Sequence, residues 1–525
     1  MMRWWGPLLF AGMIGVAAAD DGLFAEGRRL YMEGRRADGS ALLARRDGDG
    51  RLQGRDMACV QCHRRSGAGT VEGVVIVPSI QGRVLFNPGS PPPGHLPRRA
   101  AGMALQDYGF RTRPAYDDIS LARALREGIG AGGARFDGLM PRYDLSSRDI
   151  AALTAYLHSL DATPADGIDP QPGGAIRLAT VILPDADPSQ SAAMRAVLST
   201  CVAERSPRPG SGRRPWTLDE WALSGPPETW RGQLEAFRME RPVFALLGGI
   251  GRDWAHVHAF CEANALPCLF PNTDAPGEQP PPHASMYLSP GVGVEAGVIA
   301  ADLDESGDMP ERLVQVFQRR DIGRYGAAAL ASALPGIPNR AVSSGADPGW
   351  IRAGEVLVLW LAPTDLASFF MAVPEPPDGV RVYLSASLAG FDTGVDTSLI
   401  PPPWRPAVRV VYPFDLPDLR LGRQVFNLGG WMAGHGLALV RSTARVQGDS
   451  FSACEVVARA LYTLPEHPTR EVLLERVEEA YAGAVATAYP RFTLGPGQRF
   501  GSKGAYLLKI MPDGKWQPQG AWRVP

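Results

Sequence analysis

Several features are scarce or absent in this sequence, and each absence narrows the class of protein. The chain of 525 residues has a formal net charge of −2, which gives no support to nucleic-acid binding. After Ala19, no apolar run approaches the roughly 20 residues that a membrane-spanning helix needs. No internal repeat, Ser-His-Asp arrangement, paired-carboxylate or phosphate-loop signature is apparent. With 45% hydrophobic and 21% charged residues, the composition is that of a folded protein.

Cysteine and histidine are also scarce, with six and eight copies, yet three of them occur together in the run Cys59-Val60-Gln61-Cys62-His63. A C-x-x-C-H run is the attachment site of a c-type haem, because the two thiols reach the two vinyl groups and the imidazole lies under the iron. A zinc half-site or a thioredoxin-like C-x-x-C would need a second Cys/His pair or a βαβ pattern, and neither follows. The sequence therefore predicts one covalent haem held by Cys59, Cys62 and His63.

The second axial ligand of the iron has to come from another part of the chain. Met140 is the favoured candidate, since it follows the haem motif, closes a long loop from His63 and directly precedes a helix-like run, Ser146 to Leu160. A His/Met pair raises the reduction potential and closes the sixth position, which favours electron transfer over oxygen chemistry. The alternatives are that Met140 only packs in the core, or that the ligand is one of Met32, Met57, Met103 and His95.

These features resemble the class I cytochrome c family over roughly residues 20 to 160. In that family an N-terminal helix crosses a C-terminal helix, and the residues here that resemble the crossing are Gly27, Leu30, Tyr31, Leu153, Tyr156 and Leu157. The run Pro78-Ser79-Ile80-Gln81-Gly82 resembles the family segment whose proline carbonyl accepts a hydrogen bond from the proximal imidazole, so the resemblance gives Pro78 the role of orienting His63. Two insertions depart from the family, Arg35 to Asp56 and Asn87 to Arg99, and both are expected to form surface loops.

The N-terminus has the pattern of an export signal. Arg3 precedes an apolar stretch from Trp4 to Val16, and small residues follow at Ala17 to Ala19, which predicts a signal peptide over residues 1–19 with cleavage near Ala19. We therefore expect a periplasmic protein without a transmembrane segment after cleavage, which agrees with a c-type haem because such haems are attached outside the cytoplasm.

A polar stretch rich in Pro and Gly, residues 161–175, indicates a linker to a second domain over residues 176–525. In that domain short aliphatic runs alternate with amphipathic stretches, which predicts parallel sheets with crossover helices. The expected strands are Ile176 to Leu183, Trp221 to Ser224, Val243 to Gly248, Pro267 to Phe270, Leu313 to Phe317, Glu355 to Leu361, Val380 to Ser385 and Val408 to Val411.

The order of these elements resembles the two-lobed type I periplasmic binding proteins, the branched-chain amino-acid receptors of ABC transport. The predicted fold is thus an all-α cytochrome c domain followed by an α/β binding-protein domain. Ligands of such sheets bind at the carboxyl ends of the strands. Gly249, Asn272 and Thr273 in the loops after two strands, and by the resemblance Tyr325 on the second lobe, are therefore candidates for holding a small polar ligand.

The four remaining cysteines, Cys201, Cys261, Cys268 and Cys454, are compatible with one or two disulfides, and Cys261 and Cys268 are the nearest pair in the sequence. Buried cysteines that act as plain apolar groups are the alternative. His256 and His258 are two apart on an expected helix and do not share a face, so they do not predict a metal site.

Three classes of function follow. The favoured one is an electron carrier that exchanges electrons with a periplasmic partner such as a dehydrogenase, while the second domain binds a small molecule or docks the partner. The second is a ligand-responsive binding protein whose haem domain reports redox state. The third, a haem enzyme such as a peroxidase, needs an open iron position and fits a Met140 ligand least well.

Overall fold

The computed structural model shows two compact units. The first comprises Met1–Pro164 and Pro465–Glu475, and the second comprises Ala165–Leu464 and Arg476–Pro525. No helix in the described part of the chain is long and apolar enough to cross a membrane. The structure describes residues 14–46, 50–72, 75–89, 112–160, 165–208, 210–277, 282–307, 309–319, 321–343, 349, 351–417, 428–479 and 487–525.

Some sequence predictions fall outside the described residues. They concern the first 13 residues of the expected signal peptide, the alternative iron ligands His95 and Met103, and most of the insertion from Asn87 to Arg99.

In the residues that the structure describes, the N-terminal part of the first unit contains α-helices and short strands. The helices are α1 (Ile14–Glu33), α2 (Val60–His63), α3 (Gly82–Leu85), α4 (Asp118–Glu127) and α5 (Ser147–Ser159), and the strands are β1 (Leu43–Arg46), β2 (Gly50–Gln53), β3 (Thr70–Glu72), β4 (Val75–Val77) and β5 (Arg142–Tyr143). Reciprocal capping boxes begin α4 and α5, through Asp117 with Ser120 and through Ser146 with Asp149.

Helices α1 and α5 pack closely where Gly27 meets the backbone of Ala152. A Cβ built on Gly27 would lie 2.0 Å from the carbonyl oxygen of Ala152, so only glycine fits at this approach. The rings of Tyr31 and Tyr156 pack beside it with centroids 5.1 Å apart. Both rings belong to the buried core of this unit, together with Leu30 and Leu153.

The first unit is not all-α, which corrects the fold expected from the sequence. Strands β1, β2 and β5 form an antiparallel sheet in the order β2-β1-β5, and β3 pairs with β4. The insertion expected to be a surface loop, Arg35 to Asp56, thus contains a hairpin that pairs with the strand after Met140. Gly34 directly precedes the insertion and Gly54 directly follows β2, and both adopt positive φ, which glycine allows at little cost.

The second unit begins with a five-stranded parallel sheet in the order β10-β9-β8-β6-β7, which we call the first lobe. Its strands are β6 (Ile176–Ile182), β7 (Trp216–Ala222), β8 (Ala245–Leu247), β9 (Cys268–Leu269) and β10 (Ser285–Met286). Its helices are α6 (Pro188–Arg205), α7 (Trp230–Glu240) and α8 (Ala255–Ala263). The reversal of strand order beside β6 is that of a doubly wound sheet.

A seven-stranded sheet in the order β12-β11-β13-β14-β15-β16-β17 forms the second lobe. It contains α9 (Val292–Glu305), β11 (Leu313–Phe317), α10 (Gly323–Ala333), β12 (Asn339–Val342), β13 (Val356–Trp360), α11 (Pro363–Ala372), β14 (Arg381–Ser385), β15 (Val408–Tyr412), β16 (Tyr506–Ile510) and β17 (Trp516–Pro518). Strands β11 to β15 are parallel, whereas β16 and β17 are antiparallel. Each of the eight expected strands overlaps an observed one.

Between β15 and β16 the described residues include the helices α12 (Gly430–Gly434), α13 (Ala444–Tyr462) and α14 (Arg470–Glu479). Helix α13 packs on α6 and is joined to it by a disulfide between Cys201 and Cys454. Cys261 and Cys268, the pair nearest in sequence, are buried and form no disulfide. Proximity along the chain was therefore the wrong guide, because the bridged cysteines are 253 residues apart and only the packing of two helices brings them together.

Candidate functional site: a haem motif and a charged cleft

The C-x-x-C-H motif folds into a single helical turn. Cys59 is the residue before α2, and the amide of His63 donates to the carbonyl of Cys59 at 2.9 Å. Residues three and four apart on such a turn lie on the same side, which groups the two thiols with the imidazole. Neither Cys59 nor Cys62 forms a disulfide.

The imidazole of His63 is buried and has a fixed orientation. Its Nδ1 lies 3.0 Å from the carbonyl oxygen of Pro78. A carbonyl only accepts hydrogen bonds, so Nδ1 carries the proton and Nε2 presents its lone pair. Burial lowers the pKa of His63 to about 4, which keeps the ring in the neutral form that an iron ligand needs.

The loop that follows His63 is held by a carboxylate from the distant segment Pro465–Glu475 of the same unit. The carboxylate of Glu475 accepts a hydrogen bond from the amide of Ser66 at 2.9 Å and another from the hydroxyl of Ser66. Glu471 forms an ion pair with Arg65. Burial raises the pKa of Glu475 to about 7. The sequence offered no signal for these contacts, because Ser66 and Glu475 are more than 400 residues apart.

Met140 is half-buried and packs against the same hydrophobic core as Cys59 and Val60. Its amide donates to the carbonyl of Asp137 in a tight turn. Met32 packs against this core too, and Met57 is buried within it. The donor set therefore fits a c-type haem: two thiols that form no disulfide, a neutral imidazole whose Nδ1 carries the proton, and thioethers in the adjoining core.

In the second unit, a cavity of about 1030 Å³ opens at the carboxyl ends of strands from both lobes. Asp185 follows β6, Asn272 and Thr273 follow β9, and Ser387 and Asp392 follow β14. Ligands of doubly wound sheets bind at such strand ends. Of the four candidate ligand residues, the structure places Asn272 and Thr273 in the lining, whereas Gly249 and Tyr325 are not among the residues that line it.

Arg445 is the central cation of this cavity, which we call the cleft. Its guanidinium pairs with both carboxylate oxygens of Asp274, at 2.7 and 3.2 Å, and its Nε lies 3.3 Å from Asp392. The hydroxyl of Tyr489 lies 3.3 Å from the same guanidinium. These carboxylates hold the pKa of Arg445 well above its usual value although burial opposes it, so it stays charged.

Beside the cleft, further polar contacts join the two lobes. Arg252, after β8, pairs with both oxygens of Asp321, after β11, at 2.8 and 3.0 Å. Arg324 pairs with Asp253, and the hydroxyl of Tyr325 donates to Asp253 at 3.0 Å. Tyr325 thus belongs to a bridge between the lobes.

A further carboxylate lies behind the cleft lining. Glu295, in the first turn of α9, has no exposed surface, and its Oε1 accepts the amide of Ser387 at 3.0 Å and its hydroxyl at 2.8 Å. Burial raises the pKa of Glu295 to about 7, against the hydrogen bonds from Ser385 and Ser387.

Solved structures similar to this chain are substrate-binding proteins of ABC transport. A branched-chain amino-acid ABC transporter protein of Thermus thermophilus with bound valine is 11% identical, with 67% of this chain and 97% of that chain covered and a TM-score of 0.48. A putative branched-chain amino-acid ABC transporter protein of Rhodospirillum rubrum is 19% identical, with 67% of this chain and 100% of that chain covered and a TM-score of 0.43.

No curated protein matches the chain. The family model described as Cytochrome c matches residues 49–161. That segment contains the C-x-x-C-H turn, the Pro78 contact and Met140, so the chain carries a cytochrome c domain.

Proposed function

We propose that this protein is an exported electron carrier with one covalent haem c, attached through Cys59 and Cys62 and ligated by His63 and Met140. The observation that carries the proposal is the His63 turn, in which two cysteines outside any disulfide and an imidazole oriented by Pro78 occur together. The disulfide between Cys201 and Cys454 supports export, since disulfides persist in oxidising compartments.

In this proposal a bound c-type haem would supply one-electron transfer. Pro78 fixes the Nδ1 proton of His63, so Nε2 would be the atom that binds the iron, and Met140 would supply the second protein ligand. The electron acceptor or donor is a periplasmic redox partner such as a dehydrogenase.

Haem staining of a denaturing gel tests the attachment. We expect the Cys59→Ala/Cys62→Ala variant to lose all stain, because covalent haem needs both thiols. The matched control is Cys261→Ala/Cys268→Ala, which removes the two other cysteines outside the disulfide and should keep the stain. Stain that persists in the first variant would exclude this motif as the attachment site.

The second unit, in this proposal, binds a small polar molecule in the cleft. The lining supports this role, since it combines carboxylates, guanidinium groups, an amide and hydroxyls at the strand ends of both lobes. Because Arg445 is already neutralised by Asp274 and Asp392, we expect uncharged groups of the lining to contact the ligand, among them the amide of Asn272 and the hydroxyl of Thr273.

A thermal-shift screen of the full chain with amino acids, small carboxylic acids, alcohols and amides tests ligand binding. A ligand that binds only the folded protein raises its melting temperature with concentration. The alternative function, a ligand-responsive protein that reports redox state, predicts in addition that the same ligand changes the reduction potential. No shift with any of these compounds would favour a second unit that only docks a partner.

A further inference from the structure

Arg142 braces the loop that carries Met140. Its guanidinium donates to the carbonyl of Met140, to that of Phe136 at 3.2 Å and to that of Asp137 at 3.4 Å. One side chain thus contacts three carbonyls within the five residues that end at Met140. A planar guanidinium carries five N–H groups in a fixed geometry, so it can hold several acceptors at once.

The surroundings of Arg142 keep the guanidinium in this place. Its backbone belongs to β5 and is paired with Arg45 of β1, which anchors the side chain at its base. Gly128, at the end of α4, leaves the space that the guanidinium fills, since a Cβ there would lie 2.0 Å from Nε and 2.1 Å from Cζ of Arg142. In the described part of the chain Arg142 forms no ion pair, so backbone carbonyls are its partners.

A methionine ligand needs such a brace more than a histidine does. The side chain of Met140 is unbranched and flexible, and its thioether is a weak ligand, so its binding depends on how well the backbone holds it in place. Two neighbouring residues, Asp137 and Leu139, contribute only a local turn, in which the amide of Leu139 donates to the Asp137 carboxylate at 2.9 Å. The amide of Phe136 also donates to the carbonyl of Gly128 at 2.8 Å, and the three contacts of Arg142 connect the turn to the side chain of a residue in β5.

We propose that Arg142 is a positioning residue that holds the Met140 sulfur on the haem iron. This inference rests on the proposed function, because it presumes His63/Met140 ligation. Without the guanidinium, the loop should open more often and the sixth position should become accessible to external ligands.

The experiment compares Arg142→Gln and Arg142→Lys with a matched control, Arg113→Gln, in the full haem-loaded chain. Arg113 is the same kind of brace at another place, because its guanidinium donates to the carbonyls of Val84, Leu85, Asn87 and Pro114. The readouts are the weak far-red absorption of a sulfur–iron bond, the reduction potential and the affinity of the ferric protein for imidazole.

We expect Arg142→Gln to weaken the far-red absorption, lower the potential and raise the imidazole affinity about tenfold, since imidazole binds only the open loop. Arg142→Lys should rescue these properties in part, because an ammonium keeps the charge but cannot span three carbonyls. Arg113→Gln should leave all three unchanged even if it lowers the melting temperature.

The outcomes separate the two proposals. If the wild-type protein lacks the far-red absorption, Met140 ligation is refuted, and the role of Arg142 with it. If the wild type shows it and the Arg142 variants match Arg113→Gln in all readouts, the electron-carrier proposal stands and the positioning role of Arg142 is refuted. Should Arg142→Gln fail to fold, the imidazole affinity of Arg142→Lys decides, and a value equal to that of the wild type refutes the role.

Discussion

Replacing Glu295 by Gln should stabilise the protein at alkaline pH. Glu295 is fully buried behind the cleft, and its Oε2 has no hydrogen-bond partner among the described residues. Burial raises its pKa from 4.5 to about 7, so the folded protein binds the proton more tightly than the unfolded chain does. The contribution of Glu295 to the free energy of unfolding is therefore complete below pH 4.5 and is lost as the pH rises through 7.

The magnitude follows from the two pKa values. Each pKa unit corresponds to about 1.4 kcal/mol, so the difference between 4.5 and about 7 makes ionised Glu295 cost about 3 kcal/mol at pH 8. Gln has nearly the same shape, and its oxygen can accept the amide and hydroxyl of Ser387 as the carboxyl does. The variant should thus resemble the wild type at pH 4 and be more stable by up to about 3 kcal/mol at pH 8.

Denaturant unfolding of wild type and Glu295→Gln between pH 4 and pH 8 measures this difference. The second unit is followed by fluorescence of its buried tryptophans, such as Trp254 and Trp360. A difference in unfolding free energy that grows with pH supports the reasoning. A difference that is constant from pH 4 to pH 8 would show that Glu295 does not change its proton affinity on folding, and would refute the argument.

Three further predictions concern ligation, binding and the disulfide. Met140→Ala should lower the reduction potential and admit carbon monoxide or cyanide, whereas Met32→Ala should do neither; equal potentiometric titrations would transfer the ligand role elsewhere. For a ligand found by thermal shift, Thr273→Val should weaken the binding free energy measured by calorimetry by about 1 to 3 kcal/mol and leave the haem spectrum unchanged. An unchanged affinity would show that Thr273 does not contact the ligand. The Cys201→Ser/Cys454→Ser variant should have an unfolding free energy lower by about 2 to 5 kcal/mol, because the disulfide closes a loop of 253 residues. Equal denaturation midpoints of variant and wild type would contradict this.

The haem motif could be recognised from the sequence because its chemistry is local. Two thiols and an imidazole must lie within one helical turn, so their spacing along the chain is also their spacing in space. The candidate strands were found for a similar reason, since β-branched and aliphatic runs such as Val356–Trp360 are buried on both faces of a parallel sheet.

The elements that the sequence analysis missed lack such local patterns. Ser285–Met286 has two residues, and Asn339–Val342 is an edge strand whose first three residues are exposed. The hairpin in the insertion after Arg35 was expected to be a loop, since its Arg, Asp and Gly content suggests turns. Its pairing with Arg142–Tyr143 is what makes it a sheet, and that contact spans about 100 residues of the chain.

In the candidate ligand site, too, contacts between distant segments could not be predicted from the sequence. Loops after β8 and β9 were expected at the cleft because strand ends converge there, and Thr273 is in the lining. Arg445, however, comes from the start of a helix far along the chain, and nothing near it in sequence indicates that Asp274 and Asp392 will neutralise it. Charge complementarity between distant segments becomes visible only when the fold brings them together.

Tyr325 contacts the opposite lobe and does not line the cavity. It was expected to face a ligand, and the structure instead has its hydroxyl donating to Asp253 of the opposite lobe, beside Arg324. The two carboxylates are similarly buried, whereas the side chain of Arg324 is 35% exposed and that of Arg252 is 50% exposed, so solvent screens the Arg324–Asp253 pair less. We therefore expect a change at Tyr325 to weaken the contact between the lobes, and we expect any effect on ligand affinity to follow from that contact.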